Sequence, residues 1–252
     1  MIDLHIDGAV ATATLARAPV NAINDAWLDR LDEIIEEIAA HSSLAVLWLR
    51  SAQAVFCAGA DLELMRDTFP TEAGRARMLE VARRMQRTFA RIEALGVVSI
   101  AELNGAALGG GFELALSCDL RVAADTAKLG LPEARLGLLP GAGGTQRMTR
   151  LAGDALARRL ILGAEILPGS EAAALGLVHW VAPQAELPVY TRSIVARIAA
   201  LPAPALAACK RCIAAALTPG ADGYAVELVE TRALYASADT QARVARFLDK
   251  RS

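Results

Sequence analysis

Two glutamates occupy positions in the sequence where a carboxyl group could do acid/base chemistry. Glu113 lies in the first turn of an apolar, helix-like segment that follows the three consecutive glycines 109–111. Its place near a helix N-terminus favours the ionised carboxylate. Glu133 lies among apolar residues and a proline, which favour the neutral acid through desolvation. Two carboxyl groups whose pKa values are pushed apart in this way are suited to general acid/base catalysis.

The glycine run beside Glu113 is also suited to holding a negatively charged oxygen. Glycine leaves the backbone open to a ligand, and the first amides of a helix have no intrahelical partner. A second loop of small residues, 56–61, also leads into a short helix. Two backbone N–H groups that converge on one oxygen make an oxyanion hole, worth roughly 3 kcal/mol per donor. The sequence therefore predicts oxyanion donors beside an acid/base residue.

Structural explanations of the same residues remain open at this point. Three glycines before a helix can serve only to pack the helix closely on a strand, and either glutamate could be an exposed acid. Other glycine-based sites are poorly supported. The run 109–111 is not a G-x-G-x-x-G dinucleotide fingerprint, and no glycine precedes Lys-Ser or Lys-Thr as in a P-loop. A G-x-S-x-G nucleophile elbow is also missing from the sequence.

The composition bounds the class of protein. The 252 residues are 54% hydrophobic and 21% charged, with a formal net charge of -2. This length suits one large domain, or a domain with a small appendage. The charge gives no electrostatic case for nucleic acid or a membrane surface as a partner. Because we find no secretory signal and no run of 18 apolar residues, we expect a cytoplasmic protein without a membrane span.

Cysteine and histidine usage argues against a metal site or a disulfide framework. The three histidines, His5, His41 and His179, are far apart in the sequence and form no metal-binding pattern. The four cysteines are few and scattered. Cys209 and Cys212 form a C-x-x-C, but the surrounding Ala-rich pattern is helical. We therefore favour structural thiols there over a redox or metal role.

The elements that must position these residues alternate between strands and helices. An Asp7-Gly8 turn predicts an opening β-hairpin. Helix N-caps are expected at Asn24 or Asp25, at Asp61 and at Ser170. Further strands are expected at 44–49, 97–101, 120–123 and 177–181, and residues 128–137 are expected to form a loop. Strands that alternate with helices predict a parallel sheet with crossover helices.

No strand signal follows residue 187, so we expect a helical C-terminal region. Three or four helices are predicted there, at about 188–200, 204–217, 221–236 and 239–249. The predicted organisation is therefore a core of residues 1–187, which carries the candidate site, and a helical region of residues 188–252.

Four segments then point to a known family: FCAGADL at 56–62, NGAALGGGFE at 104–113, LPEARLGL at 131–138 and PGAGGTQR at 140–147. Together, in this order and at these spacings, they closely resemble the enoyl-CoA hydratase/isomerase (crotonase) family. The resemblance runs from the opening hairpin to FLDKR at 247–251. It implies an α/β fold, a crotonase-like spiral of ββα turns with a C-terminal helical trimerisation region. It also implies a homotrimer, or a homohexamer built as a dimer of trimers.

The resemblance assigns expected roles to particular residues. The substrate would be an acyl-CoA thioester whose oxygen is bound by the backbone N–H groups of Ala60 and Gly110. Residues expected to contact the CoA moiety are Ala22, Ala58, Asp61, Leu62 and Lys250. Coenzyme A enters only as part of the substrate, and the resemblance implies no metal or redox cofactor.

The implied reaction is the syn addition of water to a 2-enoyl-CoA, a step of fatty acid metabolism such as β-oxidation. Hydratases of this family carry two glutamates, at the positions of Glu113 and Glu133. Glu113 would deprotonate the water that attacks Cβ, and Glu133 would supply the proton to Cα. One alternative is an enoyl-CoA isomerase, or a hydratase for ring or branched acyl groups. Another, in a different class, is a non-catalytic scaffold or RNA-binding member, which the near-neutral charge and both glutamates disfavour. The chain departs from the family pattern at Glu102, where an apolar residue is common.

Overall fold

The structure, a computed structural model, describes residues 1–249 of the chain. Its strands form two sheets. The strands are β1 (Ile2–Asp7), β2 (Val10–Leu15), β3 (Val46–Ser51), β4 (Val98–Leu103), β5 (Ala107–Leu108), β6 (Leu120–Ala124), β7 (Lys128–Gly130), β8 (Ile166–Pro168) and β9 (Trp180–Ala182). The larger sheet has the order β1-β2-β3-β4-β6-β9, and the smaller one has the order β5-β7-β8.

Ten α-helices and one short 3-10 helix (Glu133–Leu136) are found within residues 1–249. The α-helices are α1 (Asp25–Ala40), α2 (Leu62–Thr68), α3 (Glu72–Ala94), α4 (Gly110–Ser117), α5 (Gly144–Leu162), α6 (Gly169–Ala174), α7 (Leu187–Ala199), α8 (Ala203–Ala216), α9 (Gly223–Tyr235) and α10 (Ala238–Asp249).

The larger sheet is parallel apart from its first strand. β1 and β2 form the predicted hairpin, with Ile2 opposite Leu15 and Gly8 at a φ of +54° in the turn. The pairs β2–β3, β3–β4, β4–β6 and β6–β9 are all parallel. Every residue of β4 is buried, which explains why its sequence is mainly apolar and shows no simple alternation. The expected α/β architecture with a parallel sheet is confirmed.

Polar side chains begin the helices near the candidate site. Asn24 caps α1 by accepting a hydrogen bond from the Trp27 amide at 3.0 Å. Asp61 caps α2 through the amides of Glu63 and Leu64. Both caps were predicted, whereas the predicted cap at Ser170 is wrong. Ser170 lies inside α6, which begins one residue earlier after Pro168, and its amide donates to the Asp125 carbonyl.

The smaller sheet was not predicted. Residues 128–137, expected to be a loop, contain β7 and the 3-10 helix of Glu133. β7 pairs with β5 in parallel and with β8 antiparallel. Its strands have two or three residues each, too few for a period of two to be recognised in the sequence. This sheet places the Glu133 segment next to the glycine run 109–111.

The C-terminal helices differ in how they meet the rest of the chain. α7 packs on the larger sheet, against β3, β4, β6 and β9. α8 is tied to the start of β4 by Lys210, whose ammonium lies 2.6 Å from Asp119 Oδ2 and donates to the Val97 carbonyl. Large apolar side chains of the last three helices are exposed: Ile213, Tyr224, Leu228, Val229, Tyr235, Val244, Phe247 and Leu248. The division into regions 1–187 and 188–252 remains a prediction.

Glu102 lies in β4 with its side chain 1% exposed. Burial raises its pKa, opposed by the charge of Arg50, whose Nε lies 3.7 Å from Glu102 Oε1. Thr191 of α7 also faces this carboxyl group. The departure from the family pattern is therefore accommodated by a polar cluster beneath α7.

The described residues include neither a single membrane-spanning helix nor a metal-binding cluster. No single helix within residues 1–249 is long and apolar enough to cross a membrane. The helices α7 and α8 together have the length and composition of a membrane span, but the pair is bent by 98°. In the same part of the chain, no group of three or more His, Cys, Asp or Glu side chains is arranged to hold a metal ion. Cys57 and Cys118 are buried free thiols, Cys209 is exposed and Cys212 is half-buried.

Candidate active site

The two loops of small residues lie side by side. Cys57 and Ala107 form a parallel bridge, and the Leu108 amide donates to the Cys57 carbonyl at 3.1 Å. Gly59 has a φ of +98°, and a Cβ atom there would lie 2.8 Å from the Leu108 carbonyl oxygen. Glycine is therefore required at this position by both the backbone conformation and the close approach of the second loop.

The amides of Ala60 and Gly110 are neighbours in this arrangement. Ala60 bridges to Ile23 through the Gly59 carbonyl and the Asp61 amide, so the Ala60 amide points to the other side. Gly110 is the first residue of α4, and a Cβ atom on it would lie 3.4 Å from the Ala60 nitrogen. Two amides without a strand or helix acceptor thus come together, which is the arrangement an oxyanion hole needs.

Close packing also explains part of the glycine run. A Cβ atom on Gly111 would lie 2.0 Å from the Cys57 carbonyl oxygen, so no side chain fits between α4 and this loop. The structural and functional explanations of the run therefore apply to different glycines. Gly111 allows the helix to approach, and Gly110 presents its amide.

Glu113 lies on the inner side of α4 and is only 2% exposed, so it is not the exposed first-turn acid of the structural alternative. Its Oε1 accepts hydrogen bonds from the amides of Ala142 at 2.8 Å and Gly144 at 2.7 Å. Oε2 receives no hydrogen bond from residues 1–249. The two amides fix the orientation of the carboxyl group and leave one oxygen free to act on a ligand.

The electrostatic prediction for Glu113 is wrong in direction. Burial raises the pKa of Glu113 to about 7, and the negative charge of Glu133 acts in the same sense. The amides of Gly144 and Ala142 and the charge of Arg147 lower the pKa without outweighing burial. All eight residues of α4 are buried, so desolvation outweighs the effect of the helix N-terminus.

Glu133 begins the 3-10 helix and is half-buried. Burial raises its pKa, as predicted. Its Oε2 is buried and has no hydrogen-bond partner within residues 1–249. Oε1 lies 3.1 Å from the position of a Cβ atom on Gly109, so a side chain there would meet the carboxyl group. Partial burial without a hydrogen-bond partner for Oε2 favours the neutral form of this carboxyl group.

These groups face one cavity of about 500 Å³. Ala60, Gly110, Glu113 and Glu133 all line it. The rest of the wall is mainly apolar and includes Met65, Phe69, Met78, Val81, Met85, Leu136, Leu138 and Leu139. A mostly apolar cavity with a few converging polar groups is the usual form of a small-molecule site.

The residues expected to contact CoA lie in two neighbouring loops. The Ala58 amide donates to the Val20 carbonyl, and Arg17 joins the loops by donating to the Ala22 carbonyl and to Asp61 Oδ2, the latter at 3.0 Å. Burial acts to raise the pKa of Asp61, but the hydrogen bond from Arg17 and those from two helix amides lower it. Ala58 and Leu62 are exposed and line the cavity, and Lys250 lies outside the described residues.

The residues that hold Glu113 were not identified from the sequence. The segment 140–147 was recognised as a glycine-rich turn, but no role was predicted for the Ala142 and Gly144 amides or for Arg147. A hydrogen bond from an amide to a side chain 31 positions away leaves no periodic trace in one sequence. The excess of glycine in that turn was the available signal, since a Cβ atom on Gly144 would lie 2.8 Å from Glu113 Oε1.

The raised pKa of Glu113 makes a prediction about stability. Because the pKa of Glu113 is about 7 in the folded state against 4.5 for an unperturbed glutamate, the folded protein binds this proton more tightly than the unfolded chain does. The tighter binding of this proton stabilises the folded protein fully below about pH 4.5, and this contribution is lost as the pH rises through about 7. Glu113→Gln cannot lose a proton in this way. Its free energy of unfolding, relative to the parent protein, should therefore rise by about 2 kcal/mol between pH 5 and pH 8.

Urea unfolding of both proteins across this pH range measures the difference. Glu186→Gln, which changes an exposed glutamate at the start of α7, is the matched control. A difference between Glu113→Gln and the parent that is flat with pH would contradict the buried, proton-binding state of Glu113.

The fold and the site define an α/β protein with two carboxyl groups of raised pKa and two neighbouring backbone amides around one apolar cavity. The family model for enoyl-CoA hydratase/isomerase matches residues 5–252. A short-chain-enoyl-CoA hydratase of Clostridium acetobutylicum is 39% identical over 197 residues, which cover 77% of this chain and 74% of that protein. A probable mitochondrial enoyl-CoA hydratase 2 of Arabidopsis thaliana is 43% identical over 160 residues, or 63% of this chain and 52% of that protein.

Solved structures agree with the sequence relatives. The structure of an enoyl-CoA hydratase from Bacillus anthracis superposes with a TM-score of 0.91 at 32% identity, and the match covers 99% of this chain and 96% of that one. The chain therefore belongs to the enoyl-CoA hydratase/isomerase family. The resemblance found in the four motifs is confirmed, and so is the expected fold class, apart from its trimerisation role.

Proposed function

We propose that the protein is an enoyl-CoA hydratase, a hydro-lyase that adds water across the double bond of a 2-enoyl-CoA to give a 3-hydroxyacyl-CoA. The observation that carries this proposal is the convergence of two carboxyl groups and two free amides on one apolar cavity. The relatives named as hydratases support the same reaction. Glu113 and Glu133, the two glutamates proposed to take part in the reaction, both line this cavity.

The proposed reaction begins with the thioester. Its carbonyl oxygen accepts hydrogen bonds from the amides of Ala60 and Gly110, which stabilise the negative charge that develops there as the enolate forms. Glu113, oriented by the turn that follows Pro140, removes a proton from a water molecule. The oxygen of that water attacks Cβ on the face of the double bond that the carboxyl group lines.

Glu133 completes the addition. It takes part in its protonated form, which burial favours by raising its pKa, and donates the proton to Cα as the enolate collapses back to the thioester. One proton is taken by Glu113 and one is given by Glu133, so the product has gained the elements of water. Transfer of the proton from Glu113 back to Glu133, directly or through solvent, restores both groups. Dehydration follows the same steps in reverse.

The CoA moiety is proposed to lie along the two loops joined by Arg17. Backbone groups of Ala22 and Ala58 and the neighbouring Asp61 and Leu62 would contact it. The chemistry of the proposed steps uses only carboxyl groups and amides of this chain, and no metal or redox cofactor takes part. Coenzyme A enters as part of the substrate.

Purified protein mixed with crotonyl-CoA tests the proposed function. We expect loss of the conjugated enoyl thioester absorbance and formation of 3-hydroxybutyryl-CoA. An isomerase would instead convert a 3-enoyl-CoA into a 2-enoyl-CoA without addition of water, so the two activities are separated by product analysis. Binding of acyl-CoA with neither reaction would contradict an enzymatic role.

We also propose that the exposed apolar side chains of α8–α10 bury against further copies of the chain, in a homotrimer or a dimer of trimers. Leu228 is 72% exposed and Tyr224 83% exposed, one helical turn apart on α9. Large exposed apolar surfaces of this kind are typical of interfaces between chains.

A charged substitution on this surface should dissociate the assembly. We expect Leu228→Lys to reduce the mass measured by sedimentation equilibrium from that of a trimer or hexamer to that of smaller species. Thr126→Lys, which adds the same charge in an exposed turn, should leave the mass unchanged. A monomeric parent protein, or an assembly unaffected by Leu228→Lys, would contradict the proposed interface.

A further inference from the structure

We infer that Arg147 is a positioning residue for this reaction, which acts by holding the turn of residues 140–144 in the form that orients Glu113. The inference rests on the proposed hydratase function. Arg147 lies in the first turn of α5 and is 5% exposed. It does not line the cavity, so any effect on the reaction passes through other residues.

The guanidinium group of Arg147 is held between the turn and α3. Nη1 donates to the Ala142 carbonyl at 2.8 Å, and Nη2 lies 2.6 Å from Glu93 Oε2. Buried charges are stable only when they are paired and hydrogen-bonded. Glu93 supplies the countercharge from the protein surface, and the Ala142 carbonyl supplies a buried acceptor. Arg147 therefore connects the turn to a helix that is distant in sequence.

The Ala142 carbonyl is at the centre of the turn that holds Glu113. It belongs to the peptide group between Ala142 and Gly143, and the amides on either side of that peptide group are the two donors to Glu113 Oε1. Because a peptide group is planar, fixing this carbonyl also fixes the direction of the chain between the two donors. Arg147 thereby sets the orientation of the amides that orient the carboxyl group.

The packing of the turn is built around the guanidinium group. Gly143 has a φ of +101°, and a Cβ atom on it would overlap Nη1 of Arg147 at 2.4 Å. The turn thus has no side chain where the guanidinium lies. Removing that group would leave the Ala142 carbonyl without its donor and would open space beside a glycine that is free to change conformation.

Arg147 also acts on Glu113 through its charge. Besides burial, three sets of groups affect the pKa of Glu113. They are the Ala142 and Gly144 amides, the charge of Glu133 from the 3-10 helix, and the charge of Arg147 from α5. The positive charge favours the ionised carboxylate, which is the form that accepts a proton from water. Glu93 reduces this effect because it partly neutralises the guanidinium.

Two substitutions should therefore shift the pKa of Glu113 in opposite directions. In Arg147→Gln the loss of positive charge should raise the pKa of Glu113, and the acid limb of the kcat profile should move to higher pH. In Glu93→Gln the unneutralised guanidinium should lower that pKa, and the limb should move to lower pH. Arg147→Lys keeps the positive charge but loses the guanidinium group that bonds to both Ala142 and Glu93. The acid limb of its kcat profile should therefore lie at the same pH as in the parent protein, whereas its kcat should be lower.

The expected size of the effect on turnover is large for a residue that does not touch the substrate. A misplacement of about 1 Å costs roughly 10²-fold in rate, so we expect kcat of Arg147→Gln to fall by about that factor with KM changed by less than about 3-fold. Arg158→Gln lies in the part of α5 that follows a break in the helix at Gly153, where φ is +79°, and it removes the exposed ion pair with Asp154. This variant is the matched control and should leave kcat and the pH profile unchanged.

The titration of Glu113 can be followed without turnover, by ¹³C NMR of labelled glutamate carboxyl groups, with Glu113→Gln used to identify the signal. Opposite shifts in Arg147→Gln and Glu93→Gln support the inference whether or not hydration is observed. If Arg147→Gln fails to fold, Glu93→Gln and Arg147→Lys carry the same test. Unchanged Glu113 titration in both Arg147→Gln and Glu93→Gln, or undiminished kcat in Arg147→Lys, would overturn the role of Arg147. An inactive parent protein with the expected titration shifts would overturn only the proposed function.

Discussion

Replacing Glu113 by glutamine is expected to lower kcat for hydration of a 2-enoyl-CoA by about 10²–10⁴-fold, the range for loss of a positioned acid or base. Glutamine keeps the shape of the side chain and an oxygen for the amides of Ala142 and Gly144, but it cannot take a proton from water. Because the amides still hold the side chain, we expect binding of acyl-CoA to change little. The measurement is steady-state hydration of crotonyl-CoA as a function of pH.

The pH profile adds a second check on the same variant. With Glu113 as the base, activity of the parent protein should rise with pH through about 7, the pKa that burial produces. This limb should vanish from the residual activity of Glu113→Gln. Glu133→Gln should lose activity to a similar extent, because glutamine cannot deliver the proton to Cα. Full hydration activity in either variant would mean that the role of that glutamate is wrong.

Removing one of the two proposed amide donors should have the second large effect. Proline at position 110 lacks the N–H group, and the first position of a helix is where proline is tolerated best. Gly109, which precedes it, is not in the α region, with a φ of 52° and a ψ of -127°. We expect Gly110→Pro to lower kcat by about 10²–10³-fold, the usual cost of one oxyanion donor.

Gly110→Ala is the control that separates the loss of the N–H donor from the steric effect of the added side-chain atoms. Both variants add a Cβ atom that would lie 2.8 Å from the terminal methyl group of Met85, and the flexible end of that side chain can move away. Only proline removes the donor. The ratio of kcat values between the alanine and proline variants, with melting temperatures to confirm folding, therefore measures the donor itself. Equal activities would show that the Gly110 amide does not stabilise the transition state.

Much of the framework could be predicted because it depends on local patterns. The Asn24 and Asp61 caps follow from residues that bond to amides two or three positions away. The C-terminal helices follow from long segments with helical spacing and were placed within one or two residues of their observed ends. The short strands β5, β7 and β8 could not be predicted, because their pairing depends on segments that are distant in sequence.

The sequence indicated that Ala60, Gly110, Glu113 and Glu133 lie near one another, and all four line one cavity. It also predicted the direction of the pKa shift of Glu133 but not that of Glu113. Glu113 was expected to be held ionised by a helix N-terminus, since the sequence shows the glycine run but not the burial of all of α4. Once α4 is buried, desolvation decides the pKa. The amides of Ala142 and Gly144 and the guanidinium of Arg147 reach Glu113 only through the tertiary fold. The motifs indicated that these segments belong together, and the structure supplies their contacts.

The most direct test of the proposed hydration is the reaction in water enriched in ¹⁸O. With a panel of short, medium and aromatic 2-enoyl-CoAs, we expect at least one to give a 3-hydroxyacyl-CoA that carries ¹⁸O on C3. The rate at which labelled product appears should fall by about 10²–10⁴-fold with Glu113→Gln and with Glu133→Gln, while acyl-CoA binding is kept. No labelled product from any of these substrates, with a folded parent protein that binds acyl-CoA, would contradict the function proposed for this site.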